Sequence, residues 1–267
     1  MWFDLLDTRN GLDADCDRRP VKRTLIVAST PRCGSTMLCR TLWDSGRIGA
    51  PKEYFNPTQQ RDWGLRFARS LPIRAAYGSL RGPTTALLAR LPWSDRRLRA
   101  YVRVLQDHRT GSDGWFAMKI HWHHFQRIFV RTEREPSSFF GPVSWVHMTR
   151  GDRVAQAVSW ARALQTGRWS ARQAEKRRPM YSRPLIDRTL RWIEEGEAGW
   201  DDWFVRHGVE PVRLTYEAYT SDHALQTARV LQELGVSLDP NGVPTPPTRI
   251  QRDETNLRWR ERYLSST

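Results

Sequence analysis

Thr24–Gly46 reads TLIVASTPRCGSTMLCRTLWDSG. Six uncharged, mostly apolar residues, Thr24 to Ser29, run into Thr-Pro-Arg-Cys-Gly-Ser-Thr before a new apolar period begins. A short apolar run punctuated by Pro and Gly predicts a buried strand, a tight polar loop and then an amphipathic helix. Such a loop aims backbone N–H groups out of a helix N-terminus, which is where proteins hold phosphate.

Working outward, the same alternation continues. GWFAMKIH (114–121), PVSWVHMTR (142–150) and VRLTY (212–216) read as strands. TTALLARL (84–91), SDRRLRAYVRVLQDHRT (94–110) and DRVAQAVSWARALQT (152–166) read as helices, with Asp152 as an N-cap for the last. A long helix is expected over 184–207, ended by Gly208, and another over 221–234. The tail from Asn241 is Pro-rich, then polar and helical to Tyr263, and GAPKEYFNPTQQRDW after Ile48 reads as a loop. Strands alternating with helices predict an α/β fold with a parallel, doubly wound sheet. Ligands in such folds sit at the carboxyl ends of the strands. Arg32, Lys119, His121 and Arg150 all fall there. Residues 1–23 read as an N-terminal extension, and 24–267 as a single domain with a helical insertion around 61–110.

The bulk properties narrow the class. A chain of 267 residues with 39% hydrophobic content and a mean hydropathy of -0.66 describes a globular protein with ample core. The N-terminus carries early acids and no apolar core, unlike a secretory signal. Three cysteines, Cys16, Cys33 and Cys39, lack paired spacing, which speaks for a reducing compartment and a cytoplasmic location. The net charge of +14 invites a nucleic-acid reading. However, only four of the 43 basic residues are lysine, the arginines are scattered, and a polyanionic small ligand or an anionic membrane surface would profit equally.

Several nucleotide chemistries are excluded by what the loop lacks. No lysine follows Gly34, so it is not a Walker A loop, and Cys39 stands where a cysteine phosphatase would need arginine. No GxGxxG occurs. What remains is Arg32-Cys33-Gly34-Ser35-Thr36, which resembles the 5'-phosphate loop of sulfotransferases that use PAPS, 3'-phosphoadenosine 5'-phosphosulfate. Arg150 followed by Ser159 resembles the Arg and Ser that hold the 3'-phosphate in that family. The resemblance is to the bacterial trehalose 2-sulfotransferase family. It runs from about Leu25 to Tyr263 through VASTPRCGST, KEYF, GWFAMKIHW, QAVSWARALQTGRW, EAGWDDWF, VEPVRLTY and RIQRD…RWRERY.

That resemblance implies a P-loop-kinase-like three-layer fold with helices on both faces of the sheet. It implies PAPS as cofactor, no metal, and sulfuryl transfer to a hydroxyl of a saccharide or glycolipid. Arg32, Cys33, Gly34, Ser35, Thr36, Arg150, Ser159, Gln251 and Arg252 would bind the nucleotide, with Arg32 neutralising charge on the leaving oxygen. The proton acceptor has two candidates: Glu53, matching the trehalose enzymes, and His121, within a Lys-x-His element like that of animal sulfotransferases. Glu53 is favoured as base, and Lys119 would polarise the sulfuryl group. Tyr54, Phe55, Trp122, Gln165, Thr166 and Trp169 are the expected acceptor-binding residues, since tryptophan faces pack on sugar rings. A homodimer, association with a membrane surface and no nucleic-acid partner complete the expectation. The alternatives are PAPS-dependent sulfation of a non-sugar alcohol or phenol, and an Arg-rich nucleic-acid-binding protein.

Overall fold

The computed structural model describes residues 16, 18–57, 59–60, 63, 93–169, 173–245 and 253–265. The predicted helix 84–91 and the nucleotide candidates Gln251 and Arg252 lie outside these residues.

β1 (Arg23–Ser29) is buried from Thr24 onward. It shows no in–out alternation, as expected of a parallel strand covered on both faces. β2 (Trp115–His121) is buried at every position, Lys119 and His121 included. β3 (Val143–Thr149) and β4 (Val212–Thr215) complete a parallel sheet of order β2-β1-β3-β4. The chain places β2 on one side of β1 and then returns to lay β3 on the other. This reversal makes a topological switch point between the carboxyl ends of β1 and β3, where open parallel sheets leave a crevice for ligands.

The helices follow the predicted registers closely. α1 (Ser35–Asp44) begins directly after the polar loop. α2 (Asp95–Arg109) starts at an N-cap, Ser94, whose hydroxyl accepts from Arg97 N at 3.3 Å, and buries Leu98, Tyr101, Val102 and Leu105. α3 (Trp122–Ile128) and α4 (Ser137–Phe140) are short and were not anticipated. α5 (Arg153–Thr166) is capped by Asp152, which accepts from Ala155 N at 2.9 Å, and ends at left-handed Gly167. α6 (Arg183–Arg206), α7 (Tyr216–Ser221), α8 (His223–Glu233) and α9 (Glu254–Ser265) complete the chain. Tyr216, read as the last residue of a strand, instead opens α7, because Thr215 turns the chain by capping Ala218 N.

The chain forms two compact units. One contains Ala28–Thr41 and the chain from His147 onward. Its helical core joins Ala157, Val158, Trp160 and Ala161 to Ile186, Ile193, Trp259 and Tyr263, so α9 is held by apolar burial as well as by charge. The other contains Leu42–Val146 and the first part of β1. Its core is aromatic: Phe55 contacts the rings of Trp93, Tyr101, Phe129 and Phe140. Among the described residues no helix is long and apolar enough to cross a membrane.

Candidate active site

In the first unit the site is built on the turn from β1 to α1. Arg32 has φ 68, a left-handed conformation costing an arginine about 1–3 kcal/mol, so the surroundings must hold it there. They do. Gln156 of α5 donates from Nε2 to Thr30 Oγ1 at 2.9 Å and to the Pro31 carbonyl at 2.7 Å. Trp200 of α6 donates to the Ser29 carbonyl at 3.0 Å. Gly34, with φ 92, must be glycine twice over: a Cβ there would lie 2.6 Å from Tyr216 Cδ2.

The cationic groups gather around this turn. Arg32 Nε donates to Ser159 Oγ at 3.0 Å, and its Nη1 donates to the Trp169 carbonyl at 2.6 Å. Arg150, one residue past β3 and buried, stacks over the Tyr216 ring at 4.5 Å. The turn that carries Arg150 is fixed by Glu217, whose carboxylate accepts from Gly151 N at 3.0 Å and Asp152 N at 3.3 Å. Burial, then the charge of Arg150 and to a smaller extent that of Arg168, pulls the Arg32 guanidinium down to about 10. The first turn of α1 carries no acid. Crowded guanidiniums beside a helix N-terminus are stabilised by a bound polyanion.

The second unit carries a different arrangement, at the end of β2. Lys52 of the preceding loop forms a parallel bridge with Met118, and its carbonyl accepts from Lys119 N at 2.9 Å. This brings the next residue, Glu53, against the strand end. Its Oε1 lies 2.8 Å from Lys119 Nζ and 3.4 Å from His121 Nε2, and Asn56 Nδ2 donates to Oε2 at 2.9 Å. Burial pushes the Glu53 carboxyl up, but Lys119 and His121 outweigh it and hold the group well below the usual carboxylate range. Glu53 is therefore ionised at neutral pH and available to accept a proton. Beside it, burial and the neighbouring imidazoles keep His124 neutral.

Several acceptor candidates need correction. Tyr54 and Phe55 are fully buried: the first is hydrogen-bonded to the backbone of its own loop, the second lies in the aromatic core. Thr166 is also buried, its hydroxyl spent on the Arg162 carbonyl and on capping Arg168 N. The Gln165 amide forms two hydrogen bonds with the Met180 backbone, at 2.9 and 2.8 Å, and so braces the chain rather than facing outward. Trp122 opens α3 and is half-buried near Phe125. Trp169 is 41% exposed, and its carbonyl accepts from Arg32 Nη1. Cys33 is fully buried, so only its backbone is available to the loop's function. Sequence reasoning missed Asn56, Gln156, Arg168 and Tyr216. Gln156, Arg168 and Tyr216 act across tertiary contacts, whereas Asn56 lies three residues from Glu53 on the same loop and left a local signal.

Known proteins resemble this chain over most of its length. Trehalose 2-sulfotransferase from Mycobacterium tuberculosis is 28% identical over 263 residues, covering 90% of this chain and 94% of its own. The enzyme of the same name from Mycolicibacterium smegmatis is 27% identical over 259 residues, covering 89% and 93%. The sulfotransferase domain from the curacin biosynthetic pathway superposes with a TM-score of 0.50 at 12% identity, over 88% of this chain and 80% of that one. That last likeness speaks for the fold alone. Residues 24–266 match the Stf0 sulphotransferase family, and a match running from β1 through α9 shows that the chain belongs to it.

Proposed function

We propose that the chain transfers a sulfuryl group from PAPS to a hydroxyl of a saccharide or glycolipid, yielding a sulfate ester and 3',5'-ADP. The observation that carries this reading is the crowding of Arg32 and Arg150 beside the α1 N-terminus, close enough for the charge of Arg150 to lower the Arg32 guanidinium. A dianionic phosphate at each end of a nucleotide suits that donor set better than a neutral ligand does.

In this reading the α1 N–H groups with Ser35 and Thr36 hold the 5'-phosphate. Arg150 and Ser159 take the 3'-phosphate, and Arg32 faces the leaving oxygen. Gln251 and Arg252 join them by resemblance. PAPS supplies an activated sulfuryl group, and the protein must orient an acceptor hydroxyl and remove its proton. Glu53 serves as the base. His121 Nε2, 3.4 Å from the carboxylate, is the other candidate for that role. Lys119, already paired with Glu53, offers positive charge to a developing anion. The acceptor class follows the two trehalose-specific relatives, and Trp169 offers an exposed ring to a sugar face. A cytoplasmic homodimer that meets an anionic membrane surface belongs to the same reading.

Calorimetric titration with 3',5'-ADP, against 5'-AMP and ATP, tests the donor site. Selective binding of 3',5'-ADP that is lost in Arg150→Ala supports the proposal. Equal weak binding of all three nucleotides refutes it. A saccharide panel headed by trehalose, read by product mass with PAPS present, then tests the acceptor class.

A further inference from the structure

Glu53 sits on a loop, yet its carboxylate is held against two β2 side chains, and something must fix the loop. The residue on either side of it is the place to look. Lys52 is tied to β2 through its backbone. Tyr54 is tied elsewhere. Its hydroxyl donates to the Ala50 carbonyl and accepts from Arg109 Nε at 2.9 Å, while its own carbonyl accepts from Tyr101 Oη at 2.7 Å. Arg109 closes the circuit, because its carbonyl accepts from Ala50 N at 3.2 Å. The last residue of α2 therefore grips both ends of the Ala50–Tyr54 segment, one through its main chain and the other through its guanidinium.

The grip is rigid by construction. Arg109 and Tyr54 are fully buried. The Arg109 guanidinium lies 5.4 Å from the Trp43 ring centroid and 5.2 Å from that of Trp63, and Lys52 Nζ lies 5.2 and 5.7 Å from the same rings. Tyr54 packs edge-on to Trp63 at 4.8 Å between centroids. Gly49 lets the segment enter this space: a Cβ there would sit 2.4 Å from the Arg109 carbonyl and 2.6 Å from that of Trp115.

We propose that Arg109 and Tyr54 form a positioning clamp that holds Glu53 in register with Lys119 and His121. Neither touches the reacting atoms. Tyr54, expected from the sequence on the acceptor side, works from behind the base instead. The clamp rests on Glu53 being the base, and the test separates the two ideas.

Tyr54→Phe keeps the ring and removes only the hydroxyl; Arg109→Lys keeps a cation in the tryptophan cage and removes the fork. The wild-type protein and both variants are labelled with carboxyl-13C glutamate, the Glu53 signal is assigned by its loss in Glu53→Gln, and its shift is followed from pH 8 to pH 5. Wild-type Glu53 is expected to stay flat over this range. In the clamp variants a titration limb is expected to enter from the acid side, because a carboxylate moved off Lys119 loses the charge that offsets its burial. Turnover of PAPS with the saccharide panel is expected to fall on the order of 10–100-fold, with 3',5'-ADP affinity unchanged. The double variant should lose no more than Arg109→Lys alone, since the two groups act in series.

A flat Glu53 signal in both folded variants overturns the clamp. So does a loss of turnover matched by an equal loss of nucleotide affinity, which marks a merely structural role. Full turnover in Glu53→Gln overturns the base reading instead, while the carboxyl titration still decides whether the clamp positions Glu53.

Discussion

The two units treat charge in opposite ways. Around the β1–α1 turn, burial and then the charge of Arg150 lower the Arg32 guanidinium, which donates to a hydroxyl and a carbonyl while Arg150 stacks on a ring. At the end of β2, the carboxylate of Glu53 is matched by Lys119 and His121, and the balance holds it ionised. A binding site gains affinity when like charges are held close together before the ligand arrives, at a cost to the stability of the empty protein. A proton-accepting group gains nothing from such exposure and needs a defined protonation state and a fixed position. In the proposed reading this is a division of labour: one unit is prepared for a polyanion, the other for a neutral hydroxyl.

Glu53→Gln should break this division most sharply. It removes the proton acceptor while preserving the shape, so turnover is expected to fall on the order of 10²–10⁴-fold. Affinity for 3',5'-ADP should stay within about twofold, because the nucleotide groups lie in the other unit. A parallel loss of affinity would show that the two halves are not separable. Arg150→Ala should give the mirror result. Losing a buried charge-assisted contact is worth about 1.5–3 kcal/mol, or roughly 10–150-fold in 3',5'-ADP affinity, read by calorimetry. The affinity for 5'-AMP should change little, and the Glu53 carboxyl should titrate as in the wild type.

A milder substitution tests whether the cationic half depends on backbone strain as well as charge. Gly34→Ala places a Cβ against Tyr216, the ring on which Arg150 stacks, at a φ that L-residues avoid. The expected cost is about 2–4 kcal/mol, read by denaturant unfolding, together with weaker nucleotide binding as Tyr216 and Arg150 shift. Weaker binding without a loss of stability would mean that Tyr216 yields easily, and that the close packing around Gly34 serves only the ligand.

The same contrast explains what the sequence made legible. The β1–α1 turn could be read because its signals are contiguous: an apolar run, Pro31, Gly34 and two hydroxyls at the helix start. Strand ends could be read too, because a lysine and a histidine in an otherwise apolar strand have no structural excuse. Residues flanking Glu53 could not. Tyr54 and Phe55 stand beside a functional carboxylate and look like ligand contacts, yet aromatic residues anchor loops to a core as readily as they line a pocket. Thr166 and Gln165 failed similarly, since a helix end consumes hydroxyls and amides for capping and bracing. Tyr216 lies 182 positions beyond Gly34, and nothing local to either residue reports their contact.

Acidification sharpens the comparison further, because each unit contains a buried imidazole with a lowered affinity for protons, His147 in one and His124 in the other. His147, on β3 in the unit that holds Arg32, is buried among Trp200 and Phe204, with its Nδ1 3.2 Å from Arg213 Nη1. Burial, opposed by Asp201 and reinforced by Arg213, lowers it from 6.5 to about 4. The folded state therefore keeps this imidazole neutral while the unfolded chain takes up a proton below about pH 6.5, so stability is lost as pH falls from there towards 4. The loss is expected to reach about 1 kcal/mol by pH 5.5. Glu53 behaves as a lowered carboxylate: its contribution is intact above the ordinary carboxylate range and declines only as pH falls below it. Hydrogen exchange resolved by peptide, run at pH 7.5 and 5.5, should show protection falling around β3 and α6, where His147 is buried, and around α3, where His124 is. His147→Asn should remove the loss around β3 and α6 by eliminating the imidazole, and leave that around α3. A loss around β3 and α6 that persists in His147→Asn would place the acid-sensitive group elsewhere.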